Sequence, residues 1–245
     1  MPPALSIHGG RIHGGRIHGG PDAQGVPLYD FSTNANACGP CPEALAAVQQ
    51  ADATRYPDPA YTRLREALGA FHAVAPDCIV LAASASECIH RFTALAAWQG
   101  ARLVSVPRHG YGDYAQAAQA RGLAVVHDAA APAGLQWACE PASPLGGVDL
   151  QRARWALKSE APGTPGAASA HPLRVLDCAY APLRLDATLW PERVPGVWQI
   201  WTPNKALGLT GVRAAYAIAP HAEAAHRLAA LAPSWPLGAH GVALL

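Results

Sequence analysis

The chain has 245 residues, a formal net charge of +1, 14% charged and 51% hydrophobic residues, enough to bury one large core or two modest ones. A balance neither strongly basic nor strongly acidic argues against nucleic acid and membrane surfaces as partners, and no apolar run has transmembrane length or signal-peptide form. Six cysteines without a disulfide-framework spacing fit a reducing cytoplasm.

The N-terminus is a repeat, Ile7-His-Gly-Gly-Arg11, Ile12-His-Gly-Gly-Arg16 and Ile17-His-Gly-Gly20, with no helical or strand period. Its histidines sit on glycine-rich backbone that does not preorganise a metal site, so no metal is expected. In Asp30-Phe-Ser-Thr-Asn-Ala-Asn-Ala-Cys-Gly-Pro-Cys-Pro42, Cys38-Gly-Pro-Cys41 has the dithiol sequence of thioredoxin-like proteins. A redox function there requires a compact βαβ unit around it. A helix follows from Glu43 to about Ala51. Beyond it Arg55-Tyr-Pro-Asp-Pro-Ala-Tyr61 leads into an amphipathic helix, Thr62 to His72. Cys78 to Ala82 reads as a short buried strand, and Ala83-Ser-Ala-Ser-Glu87 opens a helix running to about Trp98. Small residues and serines at a helix start make either a plain Ser N-cap or an anion cradle of backbone N–H groups and hydroxyls.

Strand and helix then alternate over Arg102 to Val106, Tyr111 to Arg121, Leu123 to Val126 and Leu135 to Cys139, which predicts parallel strands with helices on both faces. A helix from Asp149 to Lys158 precedes Ser159 to Pro172, rich in Ala, Gly and Pro and read as a surface loop. Leu173-Arg-Val-Leu-Asp-Cys-Ala-Tyr180 gives a buried strand ending in Asp177, where a carboxylate is costly unless it finds a partner. A helix cap or an ion pair would also satisfy it.

The last stretch, Ile200-Trp-Thr-Pro-Asn-Lys-Ala-Leu-Gly-Leu-Thr-Gly-Val-Arg-Ala-Ala-Tyr216, holds one of only two lysines, Lys158 and Lys205. Lys205 sits on a turn between an apolar strand, Val197 to Trp201, and a second β-like run, Ala214 to Ile218. A lysine desolvated among apolar and glycine neighbours has its ammonium form disfavoured and supplies the free amine that Schiff-base chemistry needs. A snorkelling core lysine is the alternative.

Thr202-Pro-Asn-Lys205 followed by Gly208-Leu-Thr-Gly-Val-Arg213 resembles the lysine segment of fold-type-I pyridoxal-phosphate enzymes, the class I/II aminotransferase family. The resemblance runs from about Asp30 to Leu231. It implies an α/β fold, a three-layer αβα domain with a mainly parallel sheet, over residues 30–245, preceded by an N-terminal arm, 1–29. It implies pyridoxal 5'-phosphate as cofactor, Lys205 as the covalent anchor, and Thr202, Asn204 and Arg213 around the cofactor phosphate; a bidentate guanidinium suits a phosphate. The Ser84, Ala85 and Ser86 turn matches the family's phosphate turn with alanines in place of glycines. Tyr111 is placed to stack on the cofactor ring, with Tyr114 as competitor. Ser143, in Glu140-Pro-Ala-Ser-Pro-Leu-Gly146, stands where the family has an asparagine on the phenolic oxygen.

In the same resemblance Asp177 pairs with the pyridinium nitrogen and keeps the ring an electron sink, and Tyr180 bonds the phenolic oxygen. Asn34 and Asn36 contact substrate, and Tyr56 reaches the cofactor phosphate of the partner subunit in a homodimer. Family members continue into a C-terminal small domain carrying an arginine for the substrate carboxylate, and no arginine follows Arg227 here. The expected substrate is a phosphorylated amino acid. His-Gly-Gly and Phe31-Ser-Thr-Asn-Ala-Asn36 favour the threonine-phosphate decarboxylases of cobalamin biosynthesis over the histidinol-phosphate aminotransferases; an inactive cofactor-binding remnant and the Cys38/Cys41 redox protein are the alternatives.

Overall fold

The computed structural model describes residues 7–8, 11–13, 16–18, 20–21, 23, 25–26, 28–30, 32–127, 130–143, 146–158, 172–185 and 191–245. The repeat forms short strands: β1 (Ile7–His8), β2 (Arg11–His13) and β3 (Arg16–His18), with β4 at Tyr29–Asp30. β2 and β3 pair antiparallel, Ile12 opposite Ile17, and β1 runs parallel to β4. The expectation of no strand period is corrected here. Each repeat carries one β-branched isoleucine, a residue type that strands favour. The surface loop expected at 159–172 lies, up to residue 171, outside the described residues.

From Pro42 onward the elements are α1 (Pro42–Gln49), α2 (Thr62–His72), β5 (Ile79–Ala82), α3 (Ala85–Trp98), β6 (Leu103–Ser105), α4 (Gly112–Gln119), β7 (Ala124–Val126), β8 (Leu135–Cys139), α5 (Leu150–Lys158), β9 (Leu173–Asp177), β10 (Val197–Trp201), β11 (Ala215–Ile218), α6 (Ala222–Ala229) and α7 (Ala239–Leu244). Seven strands form one sheet in the order β5-β11-β10-β9-β8-β6-β7. β11 runs antiparallel to both its neighbours, and the other pairs are parallel. No helix among the described residues is long and apolar enough to cross a membrane.

Side-chain alternation along the strands builds two cores, one on each face of the sheet. Val80, Leu135, Trp137, Val175, Trp198, Ile200 and Ala217 meet α3, α4 and α6. Ile79, Leu81, Ala138, Leu176, Val197, Trp201, Tyr216 and Ile218 meet α1, α2, α5 and α7. This is the three-layer αβα arrangement. Its centre on the first face is aromatic: Phe92 stands edge-on to Trp137 and Trp198, with ring centroids 6.0 and 4.9 Å away. Each such ring, fully buried, contributes about 1.5–3 kcal/mol by area alone. The two helices α6 and α7 have no counterpart in the sequence reading.

Candidate active site

β8, β9 and β10 are parallel neighbours, so Cys139, Asp177 and Trp201 end on the same edge of the sheet. There the chain leaves β10 into the loop 202–214. Thr202 and Asn204 are buried and knit it together. The Thr202 hydroxyl lies 2.9 Å from Asn204 Oδ1 and 3.0 Å from the Ala214 carbonyl, and the Leu209 N–H donates to the Asn204 carbonyl at 2.8 Å. Lys205 projects back over the end of β9, its Nζ 4.3 Å above the Tyr180 ring centroid.

Asp177, 4% exposed, closes β9. Its Oδ1 accepts the Ala179 N–H at 2.9 Å and its Oδ2 accepts the Tyr114 hydroxyl at 2.7 Å. Among the described residues no cation pairs with it. A buried carboxylate satisfied only by neutral donors keeps lone pairs for a cationic partner. Tyr114 therefore does not compete for stacking, as the sequence reading allowed: its ring lies flat on Trp137, centroids 4.7 Å apart at 14°.

Farther along the same edge, after the end of β5, Ser84 caps α3 by accepting the Glu87 N–H at 3.0 Å, while the Glu87 carboxylate accepts the Ala83 N–H at 3.3 Å and pairs with Arg91. The capping box consumes the Ser84 hydroxyl but leaves Ala85 and Ser86 heading a fourteen-residue helix with backbone N–H groups forward. The Ser86 hydroxyl lies 3.1 Å from the Tyr111 hydroxyl. Burial pushes the Tyr111 phenol up, with the Ser86 hydrogen bond and the nearby Arg213 guanidinium pulling the other way. Tyr111 is 40% exposed. Arg213 is exposed and has no hydrogen-bond or ion-pair partner among the described residues. Ser86, Tyr111 and Arg213 thus share one neighbourhood.

The 32–41 segment packs against the lysine loop. Asn36 donates its backbone N–H to the Lys205 carbonyl at 2.9 Å and its Nδ2 to the Ala206 carbonyl at 3.0 Å, and Cys41 N–H donates to the Leu207 carbonyl at 2.9 Å. Asn36 is therefore a clamp on the loop, and Asn34 beside it is exposed. Cys38 and Cys41 are free thiols, Cys41 Sγ donating to Glu43 at 3.2 Å. The βαβ unit that a thioredoxin-like site needs is not built around them: β4, upstream, pairs with β1 and not with the central sheet. Tyr56 is 78% exposed and stacks on Trp235 at 4.6 Å, facing outward. Ser143 is half-buried beyond β8.

Sequence reasoning missed the Tyr114–Asp177 bond and a buried Glu140, whose Oε1 lies 3.1 Å from Arg152 and 3.6 Å from Arg184. The three-residue spacing of Tyr111 and Tyr114 on a helix start was the available signal for the first; nothing local signals the second.

The family model for aminotransferase class I and II matches residues 26–165. Histidinol-phosphate aminotransferase 2 of Thiobacillus denitrificans is 30% identical over 86% of this chain and 61% of its own length, and the histidinol-phosphate aminotransferase of Ruegeria pomeroyi is 31% identical over 79% and 57%. The chain spans about three fifths of the length of these curated relatives. Among solved structures, histidinol-phosphate aminotransferase from Sinorhizobium meliloti in complex with pyridoxal-5'-phosphate superimposes with a TM-score of 0.69 at 22% identity, covering 86% of this chain and 61% of that one. The L-threonine-O-3-phosphate decarboxylase of Porphyromonas gingivalis gives 0.68 at 18%, covering 87% and 66%. The chain belongs to the aminotransferase class I and II family, whose cofactor is pyridoxal 5'-phosphate.

Proposed function

We propose that residues 30–245 form the cofactor-binding part of a pyridoxal-phosphate enzyme acting on a phosphorylated amino compound, with transamination of histidinol phosphate as the first reading. The observation that carries it is the convergence at one sheet edge of Lys205 over Tyr180, a buried Asp177 with no cation among the described residues, and Arg213 near Ser86 and Tyr111. These residues fit the cofactor: Asp177 would hold its pyridinium N–H, Tyr180 its phenolic oxygen, and Arg213 with the α3 N-terminus its phosphate, while Tyr111 would cover the ring. When bound, that cofactor supplies an electron sink for a carbanion at the substrate Cα. Asp177 keeps the sink charged. The Lys205 amine moves the proton at Cα, and the apolar flanks of its loop limit the water that would compete for it.

The similarity of the curated relatives to this chain supports the aminotransferase reading. The His-Gly-Gly repeat and Phe31 to Asn36 favour a second reading, decarboxylation of threonine phosphate, which uses the same residues but breaks the carboxylate bond and adds a proton at Cα. Asn36, Thr202 and Asn204 are proposed as site residues acting through the backbone they hold, Asn34 as a substrate contact, Ser143 as a group at the cofactor's phenolic oxygen, and Tyr56 as a group reaching the cofactor phosphate of a second copy of the chain in a homodimer.

The test is product analysis on the protein reconstituted with pyridoxal phosphate. Histidinol phosphate with 2-oxoglutarate should yield glutamate. Release of carbon dioxide from threonine phosphate, with no glutamate in the first assay, would shift the assignment to the second reading. Failure to develop any visible cofactor absorption would overturn both.

A further inference from the structure

We infer that Tyr114 is a positioning residue for Asp177, setting the orientation in which that carboxylate meets the nitrogen of a bound pyridine ring. The inference rests on the cofactor reading above. Three observations carry it. The Tyr114 hydroxyl donates to Asp177 Oδ2 at 2.7 Å while the Ala179 N–H donates to Oδ1 at 2.9 Å, so both oxygens are pinned and the carboxylate plane is fixed. The phenol has no freedom of its own, because its ring is fully buried, flat on Trp137 and edge-on to Tyr111 at 6.0 Å. No charged partner among the described residues orients Asp177 in its place.

Burial, reinforced by the Asp177 charge, pushes the Tyr114 phenol well above its ordinary value, so it stays a donor. Burial likewise raises the thiol of Cys139, which faces the same carboxylate, so that no second negative charge competes there. Tyr111, the N-cap of α4, and Tyr114, in its first turn, sit three residues apart yet differ: the first is partly exposed, the second is buried and holds the carboxylate.

Tyr114→Phe keeps the ring packing and removes only the hydroxyl. Its effect should depend on whether the ligand has a ring nitrogen. Affinity is measured by fluorescence quenching for pyridoxal phosphate and for 1-deazapyridoxal phosphate, which has carbon in the nitrogen's place. The expected result is a loss of about tenfold or more for pyridoxal phosphate, the scale of a hydrogen bond to a charged group, with little change for the deaza analogue. In an Asp177→Asn background the same substitution should have no further effect on pyridoxal phosphate. Equal losses for both ligands would overturn the inference, since a merely structural tyrosine weakens the site without regard to the ring atom. Unchanged affinity for both would overturn it as well. A wild-type chain that binds neither ligand would bring down the cofactor reading and this inference together, an outcome distinct from either. Should the phenylalanine variant not fold, 3-fluorotyrosine at position 114 keeps the shape and sharpens the donor; it should alter affinity for pyridoxal phosphate alone, and an equal change for both ligands would refute the inference.

Discussion

Gly208→Ala should unlatch the 32–41 segment from the lysine loop. Gly208 has φ +66°, and a Cβ there would stand 2.5 Å from the Gly39 carbonyl oxygen and 2.9 Å from Pro40 Cα, both backbone atoms with no rotamer to yield. The left-handed conformation alone costs an L-residue about 1 kcal/mol. Relieving the overlap requires moving the segment that donates three hydrogen bonds to the carbonyls of Lys205, Ala206 and Leu207. At about 1 kcal/mol net for each bond, complete release brings the total to about 3–4 kcal/mol. Urea unfolding should show that loss in its midpoint at unchanged slope, and limited proteolysis should open near Cys38. Gly211 in the same loop is the control: its φ is not positive and nothing lies within 4 Å of its would-be Cβ, so Gly211→Ala should stay within about 0.5 kcal/mol of the parent. A Gly208→Ala protein as stable as the Gly211→Ala protein would refute the latch.

Two further outcomes are expected. Lys205→Ala should abolish the visible absorption of added pyridoxal phosphate while Lys158→Ala, at the other lysine of the chain, leaves it; a persistent band in the first variant would remove Lys205 from the site. His72, whose Nε2 lies 2.7 Å from the Tyr216 hydroxyl, is held at about 4 by burial and by Arg193, below its ordinary 6.5. The unfolded chain then binds the proton first. Stability from this group is complete above about pH 6.5 and lost as the pH falls toward 4, by about 1–3 kcal/mol after discounting for partial exposure. Urea midpoints of the parent and His72→Gln at pH 7 and 4.5 should differ in slope with pH, and parallel slopes would refute this.

Elements with a clear period were legible. α2 matched from Thr62 to His72 because Leu64 and Leu68 mark one face among charged residues, and β8 and β10 matched because short apolar runs end at turn residues. α6 and α7 were not: α6 buries Ala225 and Leu228 on one face and exposes Glu223, His226 and Arg227 on the other, but over only eight residues and with alanine for most of its apolar side, and α7 is six residues long and contains a glycine. The antiparallel β11 was hidden by the surrounding alternation, although a loop of thirteen residues between Trp201 and Ala215 is short for a crossover helix. In the proposed site, residue types pointed to Asp177, Lys205 and Arg213, because a strand-end carboxylate, a lysine and an arginine in that order have few other uses together. They could not announce which hydroxyls and amides are spent inside the chain. Ser84, Thr202 and Asn36 have the chemistry of ligand-binding groups and use it on neighbouring backbone. That choice depends on side-chain direction, which three-dimensional packing decides.

The place of β5 in the sheet bears on how the molecule is made. β5 is the first strand of the central sheet to leave the ribosome, and its sole neighbour, β11, is the last. Ile79 must wait for Ile218 and Ala82 for Ala215. Until then Ile79-Val80-Leu81-Ala82, buried on both faces in the finished sheet, is an apolar edge without a partner, the kind of segment on which nascent chains aggregate. Such a long-range pairing also slows folding, because the closure entropy of the intervening chain is met before any contact rewards it. The same pairing draws the start of α3, with Ser86, toward Arg213, two residues before β11. Anion binding at that edge can therefore begin only once β11 has been made and has closed the sheet, so cofactor capture would report a correctly closed sheet.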